Sequence, residues 1–212
     1  MEGSTDSRPA GSDFQGLLDE AVAFHGHLCG GQIIGVKMAM AGLREIGLAD
    51  PKGEQRKDLI VFVEIDRCAT DAIIAVTGCR PGRRSLKLLD NGKMAATFVN
   101  LKSGKAVRIN TTAESRRRAE RLGATLAPAY GEKDGFCQAL ILMPEEELFT
   151  IREVSVSLRP EDLPGEPLGI AVCDMCGENV LDLREVHRDG RTLCRPCAEG
   201  KTYYRMEKHN GS

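Results

Sequence analysis

Two cysteine pairs seventeen residues apart constrain the C-terminal end of this chain more than any other feature: Cys173-Asp174-Met175-Cys176 and Cys194-Arg195-Pro196-Cys197. A C-x2-C pair on a tight turn aims two thiolates to one side, and two such turns complete the closed tetrahedral set of a structural zinc site. The run between them, Val180 to Leu193, reads as a β-hairpin turning at Asp189-Gly190. The second pair then opens a terminal helix. A segment this short has too little core to fold unaided, so zinc supplies the staple. Four thiolates leave no open coordination position for catalysis. From Ala171 onward the seven basic residues (Arg184, Arg188, Arg191, Arg195, Lys201, Arg205 and Lys208) equal the acidic ones in number. A neutral module is poorly suited to a phosphate backbone, which argues against nucleic acid and for a protein-docking or core-covering role.

The remainder of the 212 residues is long enough for one medium domain with a real core. A net charge of −2 from 29 basic and 31 acidic side chains offers no field for nucleic acid or an anionic membrane. No apolar run approaches the roughly 20 residues that span a bilayer. Residues 1–12, MEGSTDSRPAGS, lack the apolar core of a signal peptide and read as a disordered tail. The expected compartment is the cytoplasm, where eight cysteines imply metal or thiol chemistry in preference to disulfides.

The elements expected from 13 to 158 alternate irregularly. A helix over 13–25 has Asp13 as N-cap, and a second covers about 31–47. The second carries a seam of small residues (Gly35, Ala39, Gly42) fit for close approach of another backbone, which suggests a homodimer interface. DLIVFVEID (58–66) is a buried strand. RCATDAIIAVTG is a helix with Asp66 as N-cap and Gly78 as terminator. Runs 84–90, 93–101 and 105–112 form an antiparallel meander, its first turn at Asn91-Gly92. A charged helix ends near Pro128, a short one starts near Pro144, and a last strand follows from Phe149. The class is α+β: a helical pair packed on an antiparallel sheet over 13–158, a proline-rich linker over 159–170, and a small treble-clef zinc-ribbon domain over 171–208.

The chain has four histidines and places two of them in His25-Gly26-His27-Leu28-Cys29-Gly30-Gly31. If the first helix continues, His25 and Cys29 share a face four residues apart. If the glycines open an extended turn, His25, His27 and Cys29 alternate onto one side. Either way His25 and Cys29 converge. Cys29 then lies at the start of the second helix, where the dipole and an imidazole lower a thiol pKa. Cys68 follows the buried strand and opens a helix with Asp71 one turn on. Cys79 lies in the basic turn Cys79-Arg80-Pro81-Gly82-Arg83, which suits an anionic group, and Lys93 follows Asn91-Gly92. The candidates for catalysis are His25, His27, Cys29, Cys68, Asp71, Cys79 and Lys93. Those for a core metal are His25, His27, Cys29 and Cys68.

FHGHLCGG, VEIDRCATDAIIAVTGC and DNGKMAATF, in this order and spacing, resemble the FmdE family, the E-type component of formylmethanofuran dehydrogenase, in its version with a C-terminal treble-clef zinc finger. The chain departs from the family at Gly30, where proline is common, and in the basic turn after Cys79. The resemblance implies a dimeric α+β core. It also implies a pocket gathering His25, His27, Cys29, Cys68 and Asp71, with Cys79 and Lys93 nearby, as a place for a second transition metal beside the structural zinc. It further implies association with a molybdenum or tungsten oxidoreductase of one-carbon metabolism in methanogenesis. No molybdopterin or iron–sulfur pattern is present, so the chain does not carry that redox chemistry itself. Three readings follow. One is an accessory metal-binding protein that docks to a larger oxidoreductase complex. Another is a small enzyme with a low-pKa thiolate at Cys29 or Cys68, a histidine base and Asp71 as orienter. The third is a structural adaptor that docks through its zinc finger.

Overall fold

The computed structural model describes residues 14–205. The expected tail over 1–12, the Asp13 cap, and Lys208 with the end of the ribbon lie outside the described residues. The chain divides into two compact units between Ser157 and Leu158.

The first unit is α+β. Helices α1 (Phe14–His25) and α2 (Gly30–Ile46) lead to strand β1 (Leu59–Val63), helix α3 (Cys68–Thr77) and strands β2 (Leu86–Leu88), β3 (Ala95–Asn100) and β4 (Ala106–Thr111). Helices α4 (Ala113–Tyr130), α5 (Glu132–Leu142) and α6 (Glu145–Leu148) precede strand β5 (Phe149–Glu153). The sheet order is β2-β1-β3-β4-β5. The expected hairpin at Asn91-Gly92 does not form. β2 pairs parallel to β1 and β3 pairs antiparallel to it, so β1 separates the two runs. β1 is almost wholly buried, and a strand of that kind needs partners on both edges. Helix α3 supplies the crossover that a parallel pair requires. Gly92, at φ 63°, turns the chain over the end of β1 instead, and the Asn91 and Lys93 amides both donate to the Glu64 carbonyl. The β3–β4 turn matches expectation.

Helix α2 is the hub, with buried residues from Gln32 to Ile46 around most of its circumference. Its small residues face partners within the chain. A Cβ on Gly35 would lie 2.5 Å from the Ala69 carbonyl oxygen, and one on Gly42 would lie 2.3 Å from the Phe98 ring. The seam read as a dimer interface is therefore taken up by α3 and β3. Helix α3 starts after Arg67, not Asp66, as its N-cap. Helix α4 runs past Pro128 to Tyr130. The proline sits in the last turn, and the Gly131 amide closes that turn on the Ala127 carbonyl at 2.7 Å. Helix α5, which the sequence pattern does not announce, packs where Gly123 and Gly135 let it reach the α4 backbone. Its C-terminal carbonyls at Ile141 and Met143 accept hydrogen bonds from Lys37 of α2 at 2.7 and 2.8 Å.

A half-buried ion pair pins the sheet end. Glu64 accepts from Arg108 Nε at 2.6 Å and Nη2 at 3.0 Å, and from Asn91 Nδ2 at 3.2 Å. The Arg108 hydrogen bond holds the Glu64 carboxyl below its ordinary value, and Asn91 adds to the effect.

In the second unit, strands β6 (Ile170–Val172) and β7 (Asn179–Leu181) pair, as do β8 (Val186–Arg188) and β9 (Arg191–Leu193), and helix α7 (Arg195–Glu199) follows. Asp189 and Gly190 take φ of 51° and 71° at the expected turn. Val180 and Leu181 belong to the first hairpin, not the second, because β7 pairs with β6. Among the described residues its buried core is Cys173, Leu193 and Ala198.

Two outcomes follow from this packing. Gly42→Val drives methyl groups into the fully buried Phe98 ring and should cost about 1–3 kcal/mol. The urea midpoint falls accordingly, and an unchanged midpoint refutes the contact. Because its folded pKa is lowered, Glu64 stabilises the fold above the unfolded carboxylate value near 4.5 and loses that contribution as pH falls through the folded value. Glu64→Gln should therefore flatten part of the acid-side decline in a stability–pH series. A decline as steep as the parent's would remove Glu64 from the account.

Candidate functional site

Helix α1 ends at His25, and the extended alternative for the next residues is the one adopted. Gly26 takes φ 98° while its amide closes α1 on the Val22 carbonyl at 2.7 Å. Only glycine adopts that φ without strain. Cys29 is the N-cap of α2, at φ −151° and ψ 166°, and its carbonyl accepts from the Gln32 and Ile33 amides. His25, His27 and Cys29 thus converge. Each offers a ligand atom, and these atoms lie within 4.8 Å of one another. The two imidazole rings are 4.7 Å apart between centroids.

Helix α3 closes the cluster from the other side. Its first residue, Cys68, meets the Cys29 thiol, and a Cβ on Gly31 would lie 2.8 Å from the Cys68 Cβ. Burial pushes the Cys68 thiol up, the neighbouring Cys29 thiol raises it further, and Asp71 adds to the effect. The expectation of a low-pKa nucleophile is therefore reversed at Cys68: the α3 N-terminus is outweighed by burial and a second thiol. Asp71 Oδ2 lies 2.8 Å from His25 Nδ1. That contact engages Nδ1 and orients the ring. Among the described residues Nε2 is buried and has no hydrogen-bond partner.

Cys79 and Lys93 do not join the cluster. Cys79 is buried beyond the far end of α3, ten residues of helix from Cys68, with Thr77 and Ser85 as its polar neighbours. Lys93 is exposed beside the Glu64 ion pair. Two residues at the cluster are not among those the sequence pattern singles out. Gln32 is fully buried in the first turn of α2; its Nε2 donates to the Cys68 carbonyl, and its Oε1 has no partner among the described residues. An amide inside the apolar run of α2 was the available signal. Cys137 of α5 is close enough to Cys29 that this thiol, after burial, raises its pKa.

The second unit gathers Cys173, Cys176, Cys194 and Cys197 with ligand atoms within 4.8 Å. Backbone amides of Cys176 and Cys194 hold the Cys173 thiol down to about 6, while the Cys194 thiol pushes Cys197 up to about 12. Thiols crowded in this way ionise together only around a cation, and the donor set is that of tetrahedral zinc.

Fold and sites define an α+β domain with a histidine–cysteine corner, joined to a small four-cysteine finger. A family model described as "FmdE, Molybdenum formylmethanofuran dehydrogenase operon" matches residues 24–150, and one for the prokaryotic dksA/traR C4-type zinc finger matches 166–203. The chain belongs to the FmdE family and carries a C4-type zinc finger. It is 31% identical over 204 residues to a probable S-adenosyl-L-methionine-binding protein of Archaeoglobus fulgidus, covering 86% of this chain and 52% of the relative. The chain thus spans about half the length of that curated relative. The crystal structure of a tungsten formylmethanofuran dehydrogenase FmdE-like protein from Syntrophus aciditrophicus superposes with a TM-score of 0.59 at 21% identity, covering 95% of this chain and all of that one. This likeness establishes the shared fold. No helix among the described residues is long and apolar enough to cross a membrane.

Cys194→Ser should release zinc, since metal binding supplies on the order of 10 kcal/mol to folding in such modules, and should expose residues after about 170 to protease. Retained zinc and retained resistance together would refute the four-cysteine site.

Proposed function

We propose that this chain is an accessory metal-binding protein of a formylmethanofuran dehydrogenase-type one-carbon system. In this reading the α1–α2 corner is its working site. One observation carries the reading: His25 is oriented by Asp71 through Nδ1 at 2.8 Å, while its Nε2 is buried and has no hydrogen-bond partner among the described residues. A carboxylate on the remote nitrogen of a metal-ligating histidine is the usual outer-shell arrangement, and a metal ion on Nε2 satisfies the orphan. His27, Cys29 and Cys68 complete a mixed imidazole–thiolate set suited to zinc or another borderline transition metal. Such an ion would supply Lewis acidity. The chain's own residues orient His25, keep the corner partly dry and bring two thiols to one point.

The small-enzyme reading, with a free thiolate nucleophile, is the weaker one, because the Cys68 thiol is raised. The zinc finger serves as the docking module towards a larger oxidoreductase complex, with the chain as a homodimer in the cytoplasm. With the small-residue seam of α2 engaged inside the chain, the dimer rests on the family resemblance.

Cobalt(II) titration of metal-free protein tests the proposal. Two equivalents should bind, one to the finger and one to the corner, with thiolate-to-cobalt absorption at both. The pair H25A/C29S should lose one equivalent, and Asp71→Asn should weaken that site by about 10–100-fold. S-adenosyl-L-methionine belongs in the same titration, given the name of the archaeal relative. A single equivalent in the parent protein overturns the assignment.

A further inference from the structure

Two cavities open side by side between α1, the end of α3 and residues 48–52, and no histidine or cysteine of the corner lines either one. The first, of about 490 Å³, is walled by Leu17, Met40, Leu43, Leu48 and Val76. The second, of about 470 Å³, has Phe24 and Ile74 on its wall and the guanidinium-bearing residues Arg80 and Arg83 at its edge. Glu20, Pro51 and Lys52 line both, and Lys52 pairs with Glu20, so that ion pair is the partition between the two spaces. The Lys52 stem lies over Gly78, where a Cβ would come within 3.3 Å of its Cγ.

We propose that this double cavity binds an amphipathic anion, its apolar body in the first space and its phosphate or carboxylate head on Arg80 and Arg83 in the second. The volume of the first space falls within the roughly 300–1,000 Å³ typical of small-molecule sites, and its lining combines the aliphatic residues named above with the charged Glu20, Arg44, Asp50 and Lys52. The second space has the complementary character. Among the described residues neither Arg80 nor Arg83 forms an ion pair with a carboxylate, whereas Arg44 at the far rim is engaged by Glu145 at 2.8 Å. Charge complementarity therefore fixes the ligand's polarity, head towards the turn after α3 and tail towards α2. Guanidinium forks bind carboxylates and phosphates in the same bidentate way. Phe24, 54% exposed beside them, offers a flat apolar surface where the body passes the partition. Lys52 is placed to exchange Glu20 for the incoming head. This site is independent of the metal reading of the corner.

Calorimetric titration of the zinc-loaded full chain with decyl phosphate, decanoate, decanol and inorganic phosphate tests the proposal. At least one decyl anion should bind saturably at one per chain, at least tenfold more tightly than decanol or inorganic phosphate; which anion does so identifies the head group. R80A/R83A should weaken that binding at least tenfold and leave decanol unchanged. Ala49→Trp, which fills the first space from an exposed position, should block the anion while the melting temperature and cobalt stoichiometry hold. Anions binding no better than decanol, or binding unaffected by R80A/R83A, would overturn it.

Discussion

Two missing methyl groups set the geometry on which the rest of this core depends. At Gly31 a Cβ would lie 2.8 Å from the Cys68 Cβ, and at Gly35 one would lie 2.5 Å from the Ala69 carbonyl oxygen. Because neither carbon exists, α2 and α3 touch backbone to backbone at their N-terminal ends. That contact carries Cys68 onto Cys29 and Asp71 onto His25, across sequence separations that no local motif bridges. The histidine–cysteine corner is thus a product of helix packing as much as of its own seven residues. Any side chain larger than hydrogen at Gly31 or Gly35 would part the helices, separating the two thiols and drawing the carboxylate off the imidazole.

The same hub distributes the remaining constraints. Along α2, Gly42 receives the Phe98 ring of β3, which sets the helix on the sheet, and Lys37 caps the carbonyl end of α5. β1 delivers Glu64 and, four residues later, Cys68, so the strand end that the Glu64–Arg108 pair pins is also the approach to the site. A sheet anchored there limits how far α3 can drift.

Much of this was legible in the residues. The finger declared itself by ligand spacing, which is local and set by coordination chemistry. α1, α2, β1 and α3 followed from apolar periodicity, and Gly47 and Gly78 end their helices at φ of 71° and 69°. The convergence of His25, His27 and Cys29 was likewise local. The failures were tertiary. Asn91-Gly92 has the composition of a hairpin, but β1 claims both neighbouring strands, and strand order is not encoded in a dipeptide. The small-residue seam of α2 is a close-approach surface, as its composition says, but its partner is not a second copy, because periodicity does not say whose backbone approaches. Helix α5 is hidden in the sequence since Gly135 weakens its propensity, while that same glycine is what admits it against α4.

The acceptor and donor inventory then separates the readings of the corner better than its thiols do. A packing motif satisfies its buried polar atoms; here His25 Nε2 and Gln32 Oε1 are both buried without a hydrogen-bond partner among the described residues. Each such group costs about 1–3 kcal/mol. Asp71 already engages the other ring nitrogen of His25, at 2.8 Å. In the proposed metal site His25 Nε2 would be a ligand atom, which would satisfy it. Gln32 is in turn tied to α3 by its hydrogen bond to the Cys68 carbonyl. Gln32 thereby links α2 to the helix that supplies Cys68 and Asp71, at the contact that builds the corner.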